Sequence, residues 1–335
     1  MANVLIHYFS GTGNSARVAA VAGDTFQELG FNPELRSVLK GSLLYSSNYD
    51  SHVFTFPTYS FILPALMHRY LKHLPPGRGA KTMVLAIYGV PGYEGRTLSD
   101  AARILRRRGY DVILAESIGC PESFTQVSNP PQIDEQKQLS DYAALKVAAF
   151  VNQFVSGEPN LKLCNLMNRI WTGLIGFCFT TIGRRCFGKL YVADETCNHC
   201  GECARTCPTG AIRIMGRPRW NYRCQACQRC INLCPRAAIQ TSCVRIGVVL
   251  AAMALSFIWV HTWVYGPAGP VQNPILQLLI LLIGWLAGQI ALFYIADKFL
   301  FLLELIPGVR KGFNWSYTKR FRRYLEPHFH PERRA

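Results

Sequence analysis

The sequence predicts a doubly wound α/β sheet, then a small α+β module built on cysteines, then a C-terminal transmembrane helical hairpin. Three observations carry this. Up to residue 156, short apolar runs alternate with segments of helical period, the pattern of a parallel sheet covered on both faces. Residues 190–242 contain the same cysteine run twice. Beyond it stand two uncharged stretches of 20 and 23 residues, Ile246–Tyr265 and Pro274–Ala296.

Composition agrees. Of the 335 residues, 50% are hydrophobic and 17% charged, a balance that excludes a disordered or collagen-like chain. The formal charge of +16 is unevenly spread. Residues 1–160 carry 14 Lys/Arg against 13 Asp/Glu, 161–243 carry 12 against 3, and 244–335 carry 10 against 4. The excess falls on the cysteine-rich and apolar parts, which argues against nucleic acid as a partner. Thirteen cysteines, bunched rather than scattered, point to metal and not to a disulfide framework.

The first domain is expected over 1–156. No basic segment, apolar stretch and cleavage site precede it, so no signal peptide is expected. Strands are predicted at Val4–Phe9, Glu34–Val38, Val53–Phe56, Met83–Tyr88 and Val112–Ala115, with helices near 15–29, 61–74, 96–108 and 135–155. Ser10, Gly11, Thr12, Gly13, Asn14 and Ser15 follow the first strand and open the first helix. Backbone amides of a tight turn, hydroxyls and a positive helix end suit a terminal phosphate. The loop lacks both G-x-G-x-x-G and Gly-Lys-Ser/Thr, so it is neither a dinucleotide fingerprint nor a Walker loop. Pro57, Thr58, Tyr59 and Ser60 follow the third strand, and Tyr88, Gly89 and Tyr93 follow the fourth. Loops at the carboxyl ends of parallel strands converge on one crevice. In these loops the chain resembles the flavodoxins over about residues 1–156. The resemblance implies a flavodoxin-like fold holding FMN, its phosphate on the first loop and its ring on the other two. Tyr59 and Tyr88 or Tyr93 are then the stacking candidates.

Residues 157–189 are expected to be a linker with an amphipathic helix. Gly157–Asn160 reads as a break, and apolar residues at 163, 166, 167, 170, 171, 174, 175, 178 and 182 form a helical stripe. The uncharged part is too short to span a bilayer. Two readings stand: a helix packed between domains, or one lying in the membrane interface.

In the module at 190–242, Cys197-x2-Cys200-x2-Cys203-x3-Cys207-Pro208 is followed by Cys224-x2-Cys227-x2-Cys230-x3-Cys234-Pro235. This is the bacterial ferredoxin spacing, in which three cysteines hold one cubane and the fourth ligates the other. One [4Fe–4S] cluster is therefore expected on Cys197, Cys200, Cys203 and Cys234, the other on Cys207, Cys224, Cys227 and Cys230. Zinc sites use separated ligand pairs instead. The module resembles the two-cluster ferredoxins. Cys120, Cys164, Cys178, Cys186 and Cys243 share no ligand spacing and are expected as small buried hydrophobes.

The hairpin is expected over 244–306 and a basic tail over 307–335. Arg245 precedes the first stretch and nine Lys/Arg follow the second, which places both ends on the cytoplasmic side of the membrane. Lys319, Arg320, Arg322 and Arg323 would then lie along anionic headgroups or, as a bare charge run, form a solvated end. His261 has no partner histidine in the second stretch, so it is expected to be a polar packing residue rather than a haem ligand.

A flavodoxin-like domain joined to a two-cluster ferredoxin resembles the EFR-type flavodoxin–ferredoxin fusion family, of which the hairpin is not expected. The resemblance implies an electron carrier converting two-electron to one-electron flow for an unidentified redox partner protein, here tethered to a membrane. The alternative is a quinone or membrane-substrate reductase with its site beside the hairpin. No general base or nucleophile stands out, so no particular catalysed reaction is predicted.

Overall fold

The computed structural model describes residues 1–39, 49–266, 269 and 271–333. Six parallel strands form the first sheet: β1 (Asn3–Tyr8), β2 (Asn32–Ser37), β3 (Ser51–Pro57), β4 (Lys81–Tyr88), β5 (Asp111–Gly119) and β6 (Asn160–Leu161), in the order β2-β1-β3-β4-β5-β6. The order 2-1-3-4-5 is the flavodoxin-like doubly wound arrangement, with its switch point between β1 and β3. The central strands alternate their side chains between two apolar layers. Phe54, Phe56 and Val84 pack with α2 (Ala65–Lys72) and α3 (Thr97–Arg107); Val53, Met83 and Leu85 pack with α1 (Asn14–Glu28) and α4 (Ile133–Ser156). Burial on both faces is why these strands read as continuous apolar runs.

Two differences from expectation have local causes. The second helix begins at Ala65 rather than near 61, because Ser60 and Phe61 adopt left-handed φ of 51° and 69° and Pro64 caps the helix. The sheet gains β6 from the segment expected as linker, since Asn160 and Leu161 pair with Leu114 and Ala115.

The amphipathic stretch forms α5 (Leu166–Cys178), continued by a π-helical turn (Phe179–Gly183) and α6 (Arg184–Lys189). Its orientation settles which face packs. Thr172 and Gly176 are buried, with Gly176 against Ile62 and Gly173 against Arg96, whereas Leu166, Met167, Ile170, Trp171 and Leu174 are each more than half exposed. The polar, small-residue face meets the domain and the apolar stripe faces outward. Cys178 is exposed with that stripe and is not a buried hydrophobe.

The cysteine module holds two short antiparallel pairs, β7 (Tyr191–Ala193) with β10 (Ile239–Thr241) and β8 (Ile212–Met215) with β9 (Arg217–Trp220). Its two short helices are α7 (Glu202–Arg205) and α8 (Arg229–Leu233). Then come α9 (Cys243–Tyr265) and α10 (Pro274–Leu303), both long and apolar enough to cross a membrane. The loop expected between them at 266–273 lies in part outside the described residues. Gly284 and Gly288 of α10 let it close on Val260 and Ser256 of α9, the small-residue packing typical of helices in lipid. The second apolar stretch was expected to end at Ala296, yet α10 continues to Leu303. Asp297 is neutralised by Lys189 at 2.6 Å and Arg245 at 3.4 Å, so the charge does not break the helix. His261 is exposed on α9, its ring beside Phe257 and Tyr265.

After α11 (Pro307–Phe313) the tail turns back over the two N-terminal modules. Arg322 donates to the Pro130 carbonyl and Arg323 to the Ile239 carbonyl, so these two arginines are engaged by protein rather than directed at headgroups. Lys319 and Arg320 are exposed.

Candidate cofactor crevice and metal centre

At the carboxyl ends of β1, β3 and β4 lies a cavity of about 390 Å³, a volume in the range of cofactor pockets. Ser10, Gly11, Thr12, Asn14, Ser15, Pro57, Thr58, Tyr59, Tyr88, Gly89 and Tyr93 all line it. Gly13 does not. Its φ is +112°, its N–H donates to Ser10 Oγ at 3.0 Å, and a Cβ there would strike Glu326 and Phe329 of the tail. A fourth loop, Pro121–Ser128, and the aromatic rings of Phe61, Phe124, Phe179 and Phe187 also line the cavity, none of them marked by a motif in the sequence. Phe61 stacks on Tyr93 with centroids 4.8 Å apart. Its left-handed backbone is the kind of local strain that collects at ligand sites.

Three carbonyls of the first loop, those of Ser10, Gly11 and Thr12, are engaged by Arg229 and the tail. Arg229 Nε donates to the Gly11 carbonyl at 3.1 Å, another of its N–H groups donates to the Ser10 carbonyl, and the Glu326 N–H donates to the Thr12 carbonyl at 2.9 Å. In a trans peptide the following N–H points the opposite way. The amides of Gly11 and Thr12 are thereby turned from Arg229 and the tail, as a phosphate cradle requires. The loop has no lysine, but the buried Arg229 guanidinium supplies a fixed positive charge behind it. Thr58 Oγ1 is buried with no hydrogen-bond partner among the described residues and belongs to a residue lining the cavity. Such an orphaned group fits a polar ring edge. These residues fit FMN.

The eight motif cysteines fall into two neighbourhoods. Burial, then the adjacent Cys234, Cys200 and Cys197, pushes the Cys203 thiol up to about 12. Burial, then Cys227 and also Cys207, pushes the Cys224 thiol up to about 12, while Cys230 is raised by burial and by Cys224 and Cys227. Thiols so reluctant to ionise need iron's charge to become ligands. Among the described residues no three His, Cys, Asp or Glu side chains converge on a single ion, whereas a cubane needs sulfurs set apart at its corners. The backbone repeats the duplication. His199 and Ala226 share left-handed φ values of 58° and 53°, Gly201 and Gln228 values of 73° and 60°. In each half the fourth cysteine's sulfur accepts an N–H four residues on, from Ala211 at 3.2 Å and from Ala238 at 3.3 Å. These residues fit two cubanes.

The crevice and the cysteine module share a wall. Ala226, Cys227 and Gln228 line the cavity, and a Cβ on Gly11 would lie 2.3 Å from the Cys227 carbonyl oxygen. Polar contacts hold the seam: Gln228 Nε2 donates to Gln126 Oε1 at 3.0 Å, and Thr125 Oγ1 donates to Asn232 Oδ1 at 2.8 Å.

Residues 190–213 and residues 221–238 each match a 4Fe-4S binding domain family. Among solved structures, a flavodoxin of Streptococcus pneumonia TIGR4 is 18% identical, covering 44% of this chain and 99% of its own, with a TM-score of 0.31. The two-electron reduced flavodoxin of Megasphaera elsdenii is 20% identical, covering 42% and 98%, with a TM-score of 0.31. General stress protein 14 of Treponema denticola, solved in complex with FMN, is 14% identical, covering 45% and 99%, with a TM-score of 0.33. No curated protein matches the chain.

Proposed function

We propose that this chain is a membrane-tethered electron carrier that passes electrons between FMN in the crevice and two [4Fe–4S] clusters. The observation that carries the reading is the shared wall, since Cys227 is both a cavity-lining residue and an expected ligand of the second cluster. When bound, FMN exchanges electrons in pairs or singly, and each cubane exchanges one at a time. This chain's residues supply placement. The first loop, backed by the Arg229 charge, would hold the phosphate, and Thr58, Tyr59, Tyr88 and Tyr93 would border the ring. The second cluster's Cys207, Cys224 and Cys230 are buried, whereas Cys200 of the first cluster is exposed. The second cluster is thus the inner station and the first the outlet to a partner protein.

The apolar surfaces support the tether. Leu250, Ile258, Ile275, Ile283 and Ile295 stand more than half exposed on α9 and α10, and patches of that extent mark membrane or protein contact. The outward stripe of α5 suits an interfacial helix.

The test is the full-length protein purified anaerobically from washed membranes. One FMN and eight iron atoms per chain are expected, with cluster bleaching following photoreduction of the flavin. A chain retaining both cofactors whose clusters stay oxidised while the flavin is reduced would overturn the carrier reading. Release from membranes by alkaline carbonate would overturn the tether.

A further inference from the structure

A second cavity, of about 230 Å³, lies where the cysteine module meets the hairpin, bounded by the first turn of α9, the last turns of α10, β9 and α11. Its charge is the notable feature. Lys189, Arg217, Arg219, Arg245, Lys298 and Arg310 line it against two carboxylates, Asp297 and Glu304, leaving an excess of four positive charges. The carboxylates are already committed: Asp297 to Lys189 and Arg245, Glu304 to Arg219 and Arg245 at 2.6 Å each. Arg217 donates to the Ala193 and Asp194 carbonyls at 2.8 and 2.6 Å. Arg310 forms no ion pair among the described residues, and its Nε is buried without a hydrogen-bond partner. Lys298 meets Tyr294 of its own helix, with the ring 4.7 Å from its ammonium, and forms no ion pair among the described residues. Phe301, Phe313 and Val192 add an apolar wall.

We propose that this cavity binds the phosphate of an anionic phospholipid headgroup. Arginine presents a planar fork that matches phosphate oxygens two at a time, and basic pockets beside transmembrane helices on the cytoplasmic side take such headgroups. A neutral quinone head would leave the excess charge uncompensated. The site rests on the reading that the hairpin crosses the membrane, because that reading puts the cavity at headgroup level with its apolar wall toward the acyl chains. Trp220 and Tyr191 line both this cavity and the site of the second cluster, so the lipid would also buttress the cluster's environment.

The experiment uses the full-length holoprotein in neutral detergent, with melting followed by cluster absorbance. Dioctanoyl phosphatidylglycerol should raise the melting temperature saturably, while dioctanoyl phosphatidylcholine, inorganic phosphate and decylubiquinone should not. Arg310→Gln should weaken the phosphatidylglycerol effect roughly tenfold or more, the scale of one lost charged hydrogen bond. Lys298→Gln, on the exposed face of α10, should weaken it in the same direction. An equal response to phosphatidylcholine would mean an apolar occupant, an equal response to inorganic phosphate a soluble anion, and displacement by decylubiquinone a quinone site. Each of these, or no saturable response, overturns the proposal. Carbonate extraction of the same preparation separates the outcomes. A chain that stays in the membrane yet ignores phosphatidylglycerol sinks the lipid site alone, and a chain that is extracted sinks the hairpin reading first.

Discussion

Arg229 joins the two N-terminal modules by donating from the cysteine run to the Ser10 and Gly11 carbonyls. It lies 218 positions from the Gly11 carbonyl it contacts, and in the letters it is one arginine inside a cysteine run. The turn that joins β1 to α1 was legible, because its glycines, hydroxyls and helix start are contiguous. Arg229→Gln should strand three buried carbonyls, those of Ser10, Gly11 and Thr206. A loss of about 1.5–3 kcal/mol is expected per charged hydrogen bond removed, read as faster FMN release by flavin fluorescence before any iron is lost. A second residue-scale prediction concerns pH. His7 is buried between Tyr70 Oη at 2.7 Å and His52 Nδ1 at 3.0 Å. Burial, then His52, holds His7 well below the ordinary imidazole range, and burial, then Arg36, holds His52 at about 4. Both stay neutral in the fold while an unfolded chain protonates them near 6.5. The unfolded state then binds more protons below that value, so stability should fall as pH drops from about 6.5 toward 4, at up to roughly 1.4 kcal/mol per unit for each group. His52→Gln should flatten that slope in thermal melts of the flavin-bound protein between pH 7 and pH 5. An unchanged slope would remove the pair as its cause.

Elements divide into those announced by local spacing and those decided by what they meet. The cysteine loops belong to the first kind. The same left-handed positions recur because each run must fold back on itself to present three sulfurs, and the spacing fixes where. The crossover pairing predicts that Cys234→Ala bleaches the cluster of Cys197, Cys200 and Cys203, whereas Cys207→Ala bleaches that of Cys224, Cys227 and Cys230. Loss of the cluster of the mutated run itself, seen by EPR on the reduced variants, would sink it. The α5 helix belongs to the second kind. Its stripe was plain in the sequence, but periodicity cannot say which side meets the domain. Gly173, Thr172 and Gly176 decide it by allowing Arg96 and Ile62 to approach. Leu174→Ala should therefore change stability in detergent by under about 0.5 kcal/mol, where a packed leucine would cost about 2–5.

At the scale of the whole molecule, the parallel sheet and the three-part order followed from alternation, the cysteine runs and the apolar stretches, and the flavodoxin-like arrangement from the resemblance in the loops, while the path of the tail did not. Its basic residues read as a solvated or headgroup-bound end. Yet Tyr324, Glu326 and Phe329 are buried, and the Tyr324 hydroxyl donates to Asn14 while its N–H donates to Asn232 Oδ1 at 2.9 Å. One segment thus ties the first loop of the flavodoxin-like domain to the second cysteine helix, a closure of three distant stretches that no local pattern encodes. Ending the chain after Phe321 should leave the sheet folded but speed FMN release, and protease cleavage should newly appear around Ser123–Ser128. Unchanged release would assign the tail no part in holding the crevice.

That closure also sets an order in time. The tail is made after both cysteine runs and the hairpin, and it cannot reach Asn14 until α9 and α10 have left the ribosome and found their place. Cys234, the last of the eight sulfurs, precedes Tyr324 by about 90 residues, an interval of roughly 5–20 s at ordinary rates of synthesis. During that interval the first loop and both cysteine runs are complete but uncovered by the tail. Iron and flavin delivery would find the sites open while the ribosome is still attached, and the tail would then close over them.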